Sequence, residues 1–550
     1  MMKCVKQSVA LLLIVLTFSN IHAQTSVSTT NGWHLKDKAT DGYYGISLDK
    51  AYNFVKGKKS TPVIVAVIDS GVDTTHEDLK SVLWTNTKEI PGNGIDDDNN
   101  GYVDDVHGWN FLGGRDGRNV QKDSYEGARV YHKYKARFEN VDTTTLSDSA
   151  KVVYHMWAKA KAAVVGGVDM NQIFLIKKMY AVLKSGDSVI TKDLNKKEYS
   201  ANDLKSYTPT ERSASIAKEI IIGLAKENND YDITNTDLLD EAEGEIRKAE
   251  TVDEAPEDYR GEIVKDNYDD INDRFYGNND VMAGVPLHGT HVSGIIAALR
   301  HNGKGVDGIA DNVKIMMIRA VPDGDEHDKD IALAIRYAVD NGAKVINMSF
   351  GKSFSPEKQW VDSAAKYAES KGVLLVQAAG NDAKDVDTTD NFPSKVFLDH
   401  QQATNWITVG ASGDPKVGGL VAYFSNYGKK DVDVFAPGVQ IYSTVPVGNQ
   451  YRNESGTSMA SPVVAGLAGF ILSYYPTLTP QQLKQVITQG TSKVGTVKNP
   501  ETGAEVPFSD LSVSGGIVNA YEAVKLAAAL SGKNAQPLKV RSVVRETKKS

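Results

Sequence analysis

Residues 456–462 (GTSMASP) constrain this chain more than any other part of its sequence. They place Ser458 at the start of an apolar stretch, residues 463–473, whose composition predicts a buried helix. A serine hydroxyl is a poor nucleophile at neutral pH unless a base lies within hydrogen-bond distance and a third group orients that base. If Ser458 is reactive, the rest of the sequence must supply both partners.

Two upstream segments offer these partners. His288 begins the sequence HGTHVSG, and Asp69 follows an apolar stretch, residues 63–68, that predicts a buried strand. In these segments and in residues 456–462 the chain resembles the subtilisin-like serine peptidases, in which the triad has the chain order Asp, His, Ser. The resemblance covers roughly residues 40–115 and 282–530. It implies that Asp69, His288 and Ser458 are the catalytic residues of a serine endopeptidase.

A fourth segment agrees with this resemblance. Asn381 ends the sequence AAGN, which follows a strand predicted over residues 373–377. In the family, the asparagine of this motif donates its amide to the oxyanion. The backbone N–H of Ser458 is the second expected donor, because the N-terminal end of a helix favours negative charge. Pro462 is expected in the first turn of that helix, where its missing N–H costs little.

Each of these residues also has a simpler interpretation. An aspartate at a strand end is often a turn former, a serine before a helix is usually an N-cap, and an asparagine before aspartate often marks a turn. Together, however, they would place an acid, a base, a nucleophile and an oxyanion donor where open α/β sheets keep their active sites. His291 is expected to be structural, since Gly289 does not favour the helical spacing that a zinc pair would need.

The resemblance also implies a substrate pocket. Two segments should form its opposite walls and offer their backbone edges to an extended peptide, and one asparagine should lie near its floor. The predicted pocket residues are Ser349, Phe350, Gly351, Ala378, Ala379, Gly380 and Asn391. Because this floor is neutral, we expect apolar or uncharged side chains to be accepted in preference to Lys or Arg.

An acidic stretch before residue 105 resembles a calcium-binding loop. Oxygen-bearing side chains stand at its positions 1, 3, 5 and 9, and Gly101 stands at position 6, where the turn is sharp. His107 replaces the bidentate glutamate expected at position 12. The alternative is a solvated turn, but clustered carboxylates repel one another without a cation. The predicted calcium ligands are Asp96, Asp98, Asn100, Tyr102 and Asp104.

Composition indicates an exported protein that lies in the periplasm or outside the cell. Residues 1–23 have a basic start, an apolar run too short for a comfortable membrane span, and a cleavage site after Ala23, as in a secretory signal peptide. The single cysteine, Cys4, would be lost with it, so we expect no disulfides. The net charge of −8 suggests neither nucleic acid nor an anionic membrane as partner. Polypeptide substrates are the expected partners, no organic cofactor is expected, and the oligomeric state stays open.

The order of predicted strands and helices indicates an α/β fold, a subtilisin-like three-layer fold with a mostly parallel central sheet. The peptidase domain is expected over residues 61–114 and 283–530, after an N-terminal arm (24–60) and before a disordered basic tail (531–550). Between the expected catalytic Asp and His lies an insertion, residues 115–282. It should be mainly helical, and it is either a solvated elaboration of a surface loop or a lid or arm that limits substrate access or aids folding. Helical periodicity is found in 149–164, 172–184, 210–227 and 237–249.

Two other classes of function remain open at this point. An esterase or transferase could use the same acyl-enzyme chemistry, and hydrolysis products of model esters and peptides would distinguish it. A binding or chaperone protein could be built on a peptidase fold without catalysis. A missing triad member would favour that class, and none is missing.

Overall fold

The computed structural model describes residues 30–532 except residues 168, 229, 230 and 285. The predicted signal peptide with Cys4, the start of the predicted arm and nearly all of the predicted tail lie outside the described residues. The strands are β1 Val63–Asp69, β2 Gly108–Asn110, β3 Val313–Arg319, β4 Val345–Met348, β5 Leu374–Ala378, β6 Trp406–Ser412, β7 Val434–Pro437, β8 Ile441–Val445, β9 Gln450–Glu454, β10 Thr491–Lys493, β11 Thr496–Lys498, β12 Glu505–Pro507 and β13 Gly516–Val518.

Fifteen α-helices are found among the described residues. They are α1 Lys38–Asp41, α2 Leu48–Val55, α3 Glu126–Phe138, α4 Asp148–Val165, α5 Met170–Leu194, α6 Ala201–Leu204, α7 Arg212–Asn228, α8 Asn235–Glu250, α9 Tyr259–Ile263, α10 Leu287–Ala297, α11 Asp328–Asp340, α12 Lys358–Ser370, α13 Thr457–Tyr474, α14 Pro480–Gln489 and α15 Ala520–Ser531.

A nine-stranded sheet forms the centre of the protein, in the order β10-β13-β7-β6-β5-β4-β1-β3-β2. Only β10 runs antiparallel to its neighbour, and β1 lies between β4 and β3 with Val65 opposite Val345 and Ile315. A parallel strand covered on both faces is apolar along its whole length, which explains the unbroken apolar run in β1. The α/β class predicted from the sequence is confirmed.

Helices cover both faces of this sheet and make three layers. On one face, alternate residues of β1, such as Val65 and Val67, share a buried cluster with α10 and α13. On the other face, Ala66 and Ile68 share a cluster with α11 and α12. Because the strands are parallel, the loops that follow their carboxyl ends meet at one edge of the sheet.

Helix α13 begins at Thr457, six residues earlier than the predicted start. Pro462 therefore lies inside the helix, and the prediction that it occupies the first turn is wrong. By length and composition alone, α13 is the one helix of the described residues that could cross a membrane, but most of it is buried in the core. A core helix of a soluble protein passes the same test.

The described part of the predicted N-terminal arm packs against the core. Trp33 is fully buried, and its indole N–H donates to the carbonyl of Val439 at 3.1 Å. The backbone N–H of Ala520, at the start of α15, donates to Ile46 at 2.7 Å. The arm thereby contacts both α15 and the residues between β7 and β8.

Residues 115–282, called the helical segment below, contain α3 to α9. All four helices predicted there are present. Three are longer than their sequence patterns indicate, whereas α7 begins two residues later and ends one residue later than its pattern, and α3, α6 and α9 are additional. The segment has two apolar clusters. One lies between α5, α7 and α8, and the other lies between α3 and α4 and includes Phe354 from outside the segment.

Candidate active site

Strand β1 and helix α10 bring Asp69 and His288 together. Asp69 is the last residue of β1 and is 1% exposed. Its Oδ1 lies 2.7 Å from Nδ1 of His288 and also accepts a hydrogen bond from the N–H of Ser70. A Cβ on Gly289 would lie 2.1 Å from the carbonyl of Gly71, so only glycine allows α10 to approach the end of β1 this closely.

The environment of His288 suits a general base. Burial lowers its pKa, but the charge of Asp69 and the hydrogen bond to it act in the opposite direction and prevail, so the pKa of His288 is raised above its ordinary value. The side chain of His288 remains 38% exposed, so a bound molecule can reach the ring. The bond at Nδ1 fixes the tautomer and leaves Nε2 as the atom that can accept a proton.

Ser458 is the second residue of α13 and is partly exposed. Its hydroxyl donates to the carbonyl of Ser349 at 3.1 Å. Among the described residues, no hydrogen bond joins Ser458 to His288. The side chain of Ser458 must therefore rotate before His288 can accept its proton. Hydrogen bonds between a nucleophile and its general base commonly form only when substrate binds.

A second hydrogen bond links the same two serines and explains Pro462. In a regular helix the carbonyl of Ser458 would accept the N–H of the residue four positions later, but proline has none. The hydroxyl of Ser349 donates to this carbonyl at 2.9 Å instead. Asn347, on β4, donates in turn to the Ser349 hydroxyl at 2.9 Å and accepts from Ser461 at 2.8 Å. This buried chain fixes the start of α13 on the end of β4.

Asn381 faces the start of α13. Its Oδ1 accepts hydrogen bonds from the N–H and the hydroxyl of Thr457, at 2.9 and 2.8 Å. A backbone N–H can only donate, so the oxygen of the amide must face Thr457 and the nitrogen is left as a donor. A Cβ on Gly456 would lie 3.5 Å from both Nδ2 of Asn381 and the N–H nitrogen of Ser458. The two predicted oxyanion donors therefore border the same space in front of Gly456.

The predicted pocket residues also meet. Nδ2 of Asn391 donates to the carbonyl of Ala379 at 3.0 Å, and a Cβ on Gly351 would lie 3.0 Å from Oδ1 of Asn391. The segments 349–351 and 378–380 therefore both adjoin Asn391. Gly380 is tied to α13, because its N–H donates to the hydroxyl of Thr457 at 3.1 Å.

Three carboxylates lie close together at the acidic loop. Asp96 and Asp98 are predicted calcium ligands, whereas Glu89 is not. Carboxylate oxygens of Glu89, Asp96 and Asp98 all lie within 4.8 Å of one another. Glu89 precedes the loop, and its carboxylate also accepts the N–H groups of Asp97, Asp98 and Asp104. Its position in the sequence gives no signal, because the calcium-loop pattern counts only residues that follow Asp96.

The other predicted ligands of this loop have protein partners. The Asp104 carboxylate accepts the N–H groups of residues 93 and 94, at 3.1 and 2.8 Å. The oxygen of the Asn100 side chain accepts the N–H of Tyr102 at 2.8 Å. His107, at position 12, lies with Nδ1 2.8 Å from the carbonyl of Trp84.

His291 lies on α10, three residues after His288, and is fully buried. Its Nε2 is 3.2 Å from the carbonyl of Arg452 on β9, and burial lowers the pKa of His291 to about 3. A histidine with this pKa is neutral at physiological pH and links α10 to β9.

Comparison with known proteins places this arrangement in a family. The sequence profile of the subtilase family matches residues 60–506, which is most of the chain. The chain belongs to the subtilase family. The profile match runs through the helical segment as well as both parts of the subtilase core.

Three relatives illustrate this membership. The thermophilic serine proteinase of Bacillus sp. (strain AK1) is 37% identical over 274 residues, which cover 50% of this chain and 59% of that protein. Subtilisin DY of Bacillus licheniformis is 40% identical over 212 residues, covering 38% of this chain and 71% of that protein. The extracellular protease of Xanthomonas campestris pv. campestris is 33% identical over 265 residues, covering 44% and 43%. The chain thus spans less than two thirds of the first and third of these relatives.

Proposed function

We propose that this subtilase is a serine endopeptidase that hydrolyses peptide bonds through an acyl-enzyme. The observation that carries the proposal is the 2.7 Å bond between Asp69 and His288 at the sheet edge where Ser458 and Asn381 also lie. In this proposal acid, base, nucleophile and oxyanion donor come from four different chain segments at the same edge of the sheet, an arrangement that suits acyl transfer.

The reaction follows from these positions. Ser458 turns away from Ser349, its oxygen attacks the scissile carbonyl carbon, and its proton passes to Nε2 of His288. Asp69 stabilises the imidazolium, while the amide of Asn381 and the N–H of Ser458 donate to the oxyanion. His288 then returns the proton to the amine as the carbon–nitrogen bond breaks. Water then gives a proton to His288 and attacks the acyl carbon. The bond from this carbon to the Ser458 oxygen breaks, and His288 returns the proton to that oxygen, which releases the acid.

Cleavage of an unfolded protein substrate tests this proposal. We expect new internal termini, identified by mass spectrometry, with the parent protein and none with Ser458→Ala. Ser370→Ala is the matched control, because Ser370 is an exposed serine at the end of α12. Equal cleavage by Ser458→Ala and the parent would refute the proposal. Turnover of esters without peptide cleavage would favour the esterase alternative.

The substrates we propose are extended polypeptides with an uncharged side chain before the cut. The neutral amide of Asn391 between residues 349–351 and 378–380 supports this preference, since the contacts described there include no acidic group to pair with Lys or Arg. A peptide library varied at that position tests it. A strong preference for basic residues would contradict it.

We further propose that the protein is exported and that cleavage follows Ala23. The sequence of residues 1–23 supports this, and one relative is named an extracellular protease. Sequencing the amino terminus of the protein from its native host, in cell and medium fractions, tests both the cleavage and the compartment. A protein that keeps Met1 inside the cell would contradict the proposal.

We also propose a structural calcium ion at the acidic loop. Glu89, Asp96 and Asp98 supply three carboxylates within 4.8 Å, an all-oxygen set of the kind that Ca²⁺ prefers. Their mutual repulsion would be relieved by a cation. In this proposal Asn100, Tyr102 and Asp104 shape the loop or complete the ligand shell. The ion would stabilise the fold and take no part in hydrolysis.

A further inference from the structure

We propose that the helical segment sets the side-chain selectivity of the enzyme, because α3 and α4 hold both walls of the predicted substrate pocket through Lys352 and the ion pair between Lys159 and Asp390. This inference rests on the proposed function. It concerns two parts of the chain. One is residues 352–354, called the strap, which follow the predicted pocket wall 349–351, and the other is Asp390, which precedes Asn391.

The two pocket segments are joined to each other at Lys352. Its N–H donates to the carbonyl of Phe392 at 2.9 Å, and the N–H of Phe392 donates back to Lys352 at 2.8 Å. Gly351 and Asn391 directly precede these two residues. Any shift of Lys352 therefore moves both sides of the pocket.

The side chain of Lys352 joins the helical segment to residues 326–328, which lie outside that segment. It is 2% exposed, and its Nζ lies 2.8 Å from the carboxylate of Glu126, the first residue of α3, and 2.9 Å from that of Asp328. It also donates to the carbonyl of Glu326 at 2.7 Å. Arg129, one turn along α3, lies 2.8 Å from Glu126 and balances the remaining negative charge. A buried ammonium with a full set of partners is a rigid attachment.

Phe354 makes the second attachment. It is 6% exposed and belongs to the apolar cluster formed by α3 and α4. A Cβ on Gly127 would lie only 3.0 Å from its ring, so the start of α3 is in close contact with the strap. The strap therefore packs on the helical segment and not on the sheet.

The third attachment reaches the opposite wall. Nζ of Lys159, on α4, lies 2.6 Å from the carboxylate of Asp390 and 5.1 Å from the centre of the Phe354 ring. Asp390 directly precedes Asn391. Helix α4 therefore contacts the strap beyond one wall and the residue before the other, which fixes the distance between them.

The test uses peptides that differ only in the residue before the cut, Phe or Ala. Lys159 and Asp390 are about half exposed, so Lys159→Met and Asp390→Asn should fold. Without the ion pair the two walls can separate, which should favour the larger side chain. We therefore expect kcat/KM for the Phe peptide, divided by that for the Ala peptide, to rise about twofold to fivefold. The effect is small because an exposed ion pair contributes little energy. The change should lie in KM. The variant that carries both substitutions should have the same ratio as each single variant. Exchanging the two residues, as Lys159→Asp with Asp390→Lys, should restore the parent ratio.

Lys161→Met is the matched control, because Lys161 lies on the same helix and pairs with Glu139 within the helical segment. It should leave the ratio unchanged, and labelling of Ser458 by a small fluorophosphonate should be equally fast in all variants. Glu126→Gln, which weakens the buried anchor, should shift the ratio in the same direction. A parent-like ratio in both Lys159→Met and Asp390→Asn would overturn this inference alone. If the parent cleaves neither peptide and Ser458 is not labelled, the proposed function fails and this inference falls with it.

Discussion

Ser349 and Ser458 exchange two hydrogen bonds, in which the hydroxyl of each residue donates to the carbonyl of the other, at 2.9 and 3.1 Å. The first bond replaces the helical bond that Pro462 cannot make. The second holds the proposed nucleophile away from His288 until it rotates. Ser349, a residue of the predicted pocket wall, thus binds both the start of α13 and the hydroxyl of the proposed nucleophile.

The first prediction concerns this exchange. Ser349→Ala leaves the Ser458 carbonyl without its donor, and a buried unsatisfied group costs about 1–3 kcal/mol of the free energy of unfolding. Pro462→Ala restores a backbone N–H at the right position, so Ser349→Ala should cost less in that background. Urea unfolding of the four proteins gives the comparison. Equal costs in both backgrounds would show that the serine does not substitute for the missing helical bond.

The second prediction concerns the oxyanion donors. Asn381→Ala should lower kcat by about 10²- to 10³-fold with little change in KM, the magnitude found for an oxyanion-hole donor of subtilisin and carried over here by resemblance. Thr457→Val should have a smaller effect of the same kind, since it removes one of the two bonds that orient the amide. Steady-state kinetics on one peptide separates the two constants. A loss confined to KM would assign Asn381 to substrate binding.

The third prediction is a pH dependence. Catalysis needs His288 in its neutral form. Because the pKa of His288 is raised, kcat/KM should fall with decreasing pH, and the midpoint of this fall should lie above 6.5, the ordinary pKa of histidine. Asp69→Asn removes the charge that raises this pKa. Its residual activity should therefore persist to lower pH, although kcat is much reduced. An acid limb at the same pH in both proteins would mean that another group titrates.

The fourth prediction concerns calcium. An ion that binds only the folded protein stabilises it by about 2.7 kcal/mol at one hundred times its Kd. Chelation should lower Tm and speed self-digestion, and Asp96→Asn with Asp98→Asn should remove most of this sensitivity. Glu89→Gln should do the same, whereas Asp116→Asn, an exposed acid outside the loop, should not. Bound calcium per chain, measured before and after substitution, decides the matter, and an unchanged count would place the metal elsewhere.

Much of the fold could be predicted because the strands of a parallel sheet are apolar along their length and the apolar residues of the helices recur with a clear period. The start of α13 could not, since the N–H of Thr457 there donates to Asn381, which lies in the loop after β5 and is distant in the sequence. The partnership of Ser349 with Ser458 has a local signal, the proline four residues after the serine. Glu89 has none, because its contacts with the acidic loop arise only when the chain turns back. The contacts of Lys159 with Asp390 likewise join segments more than two hundred residues apart.

The site of covalent modification by a fluorophosphonate tests the central claim most directly. Mass spectrometry of the labelled protein should find one modified residue, Ser458, and labelling should be lost in Ser458→Ala and strongly slowed in His288→Ala. The double variant should be no less reactive towards peptides than either single one, because triad residues act as a unit. A label on another residue, or undiminished peptide cleavage by Ser458→Ala, would contradict the account.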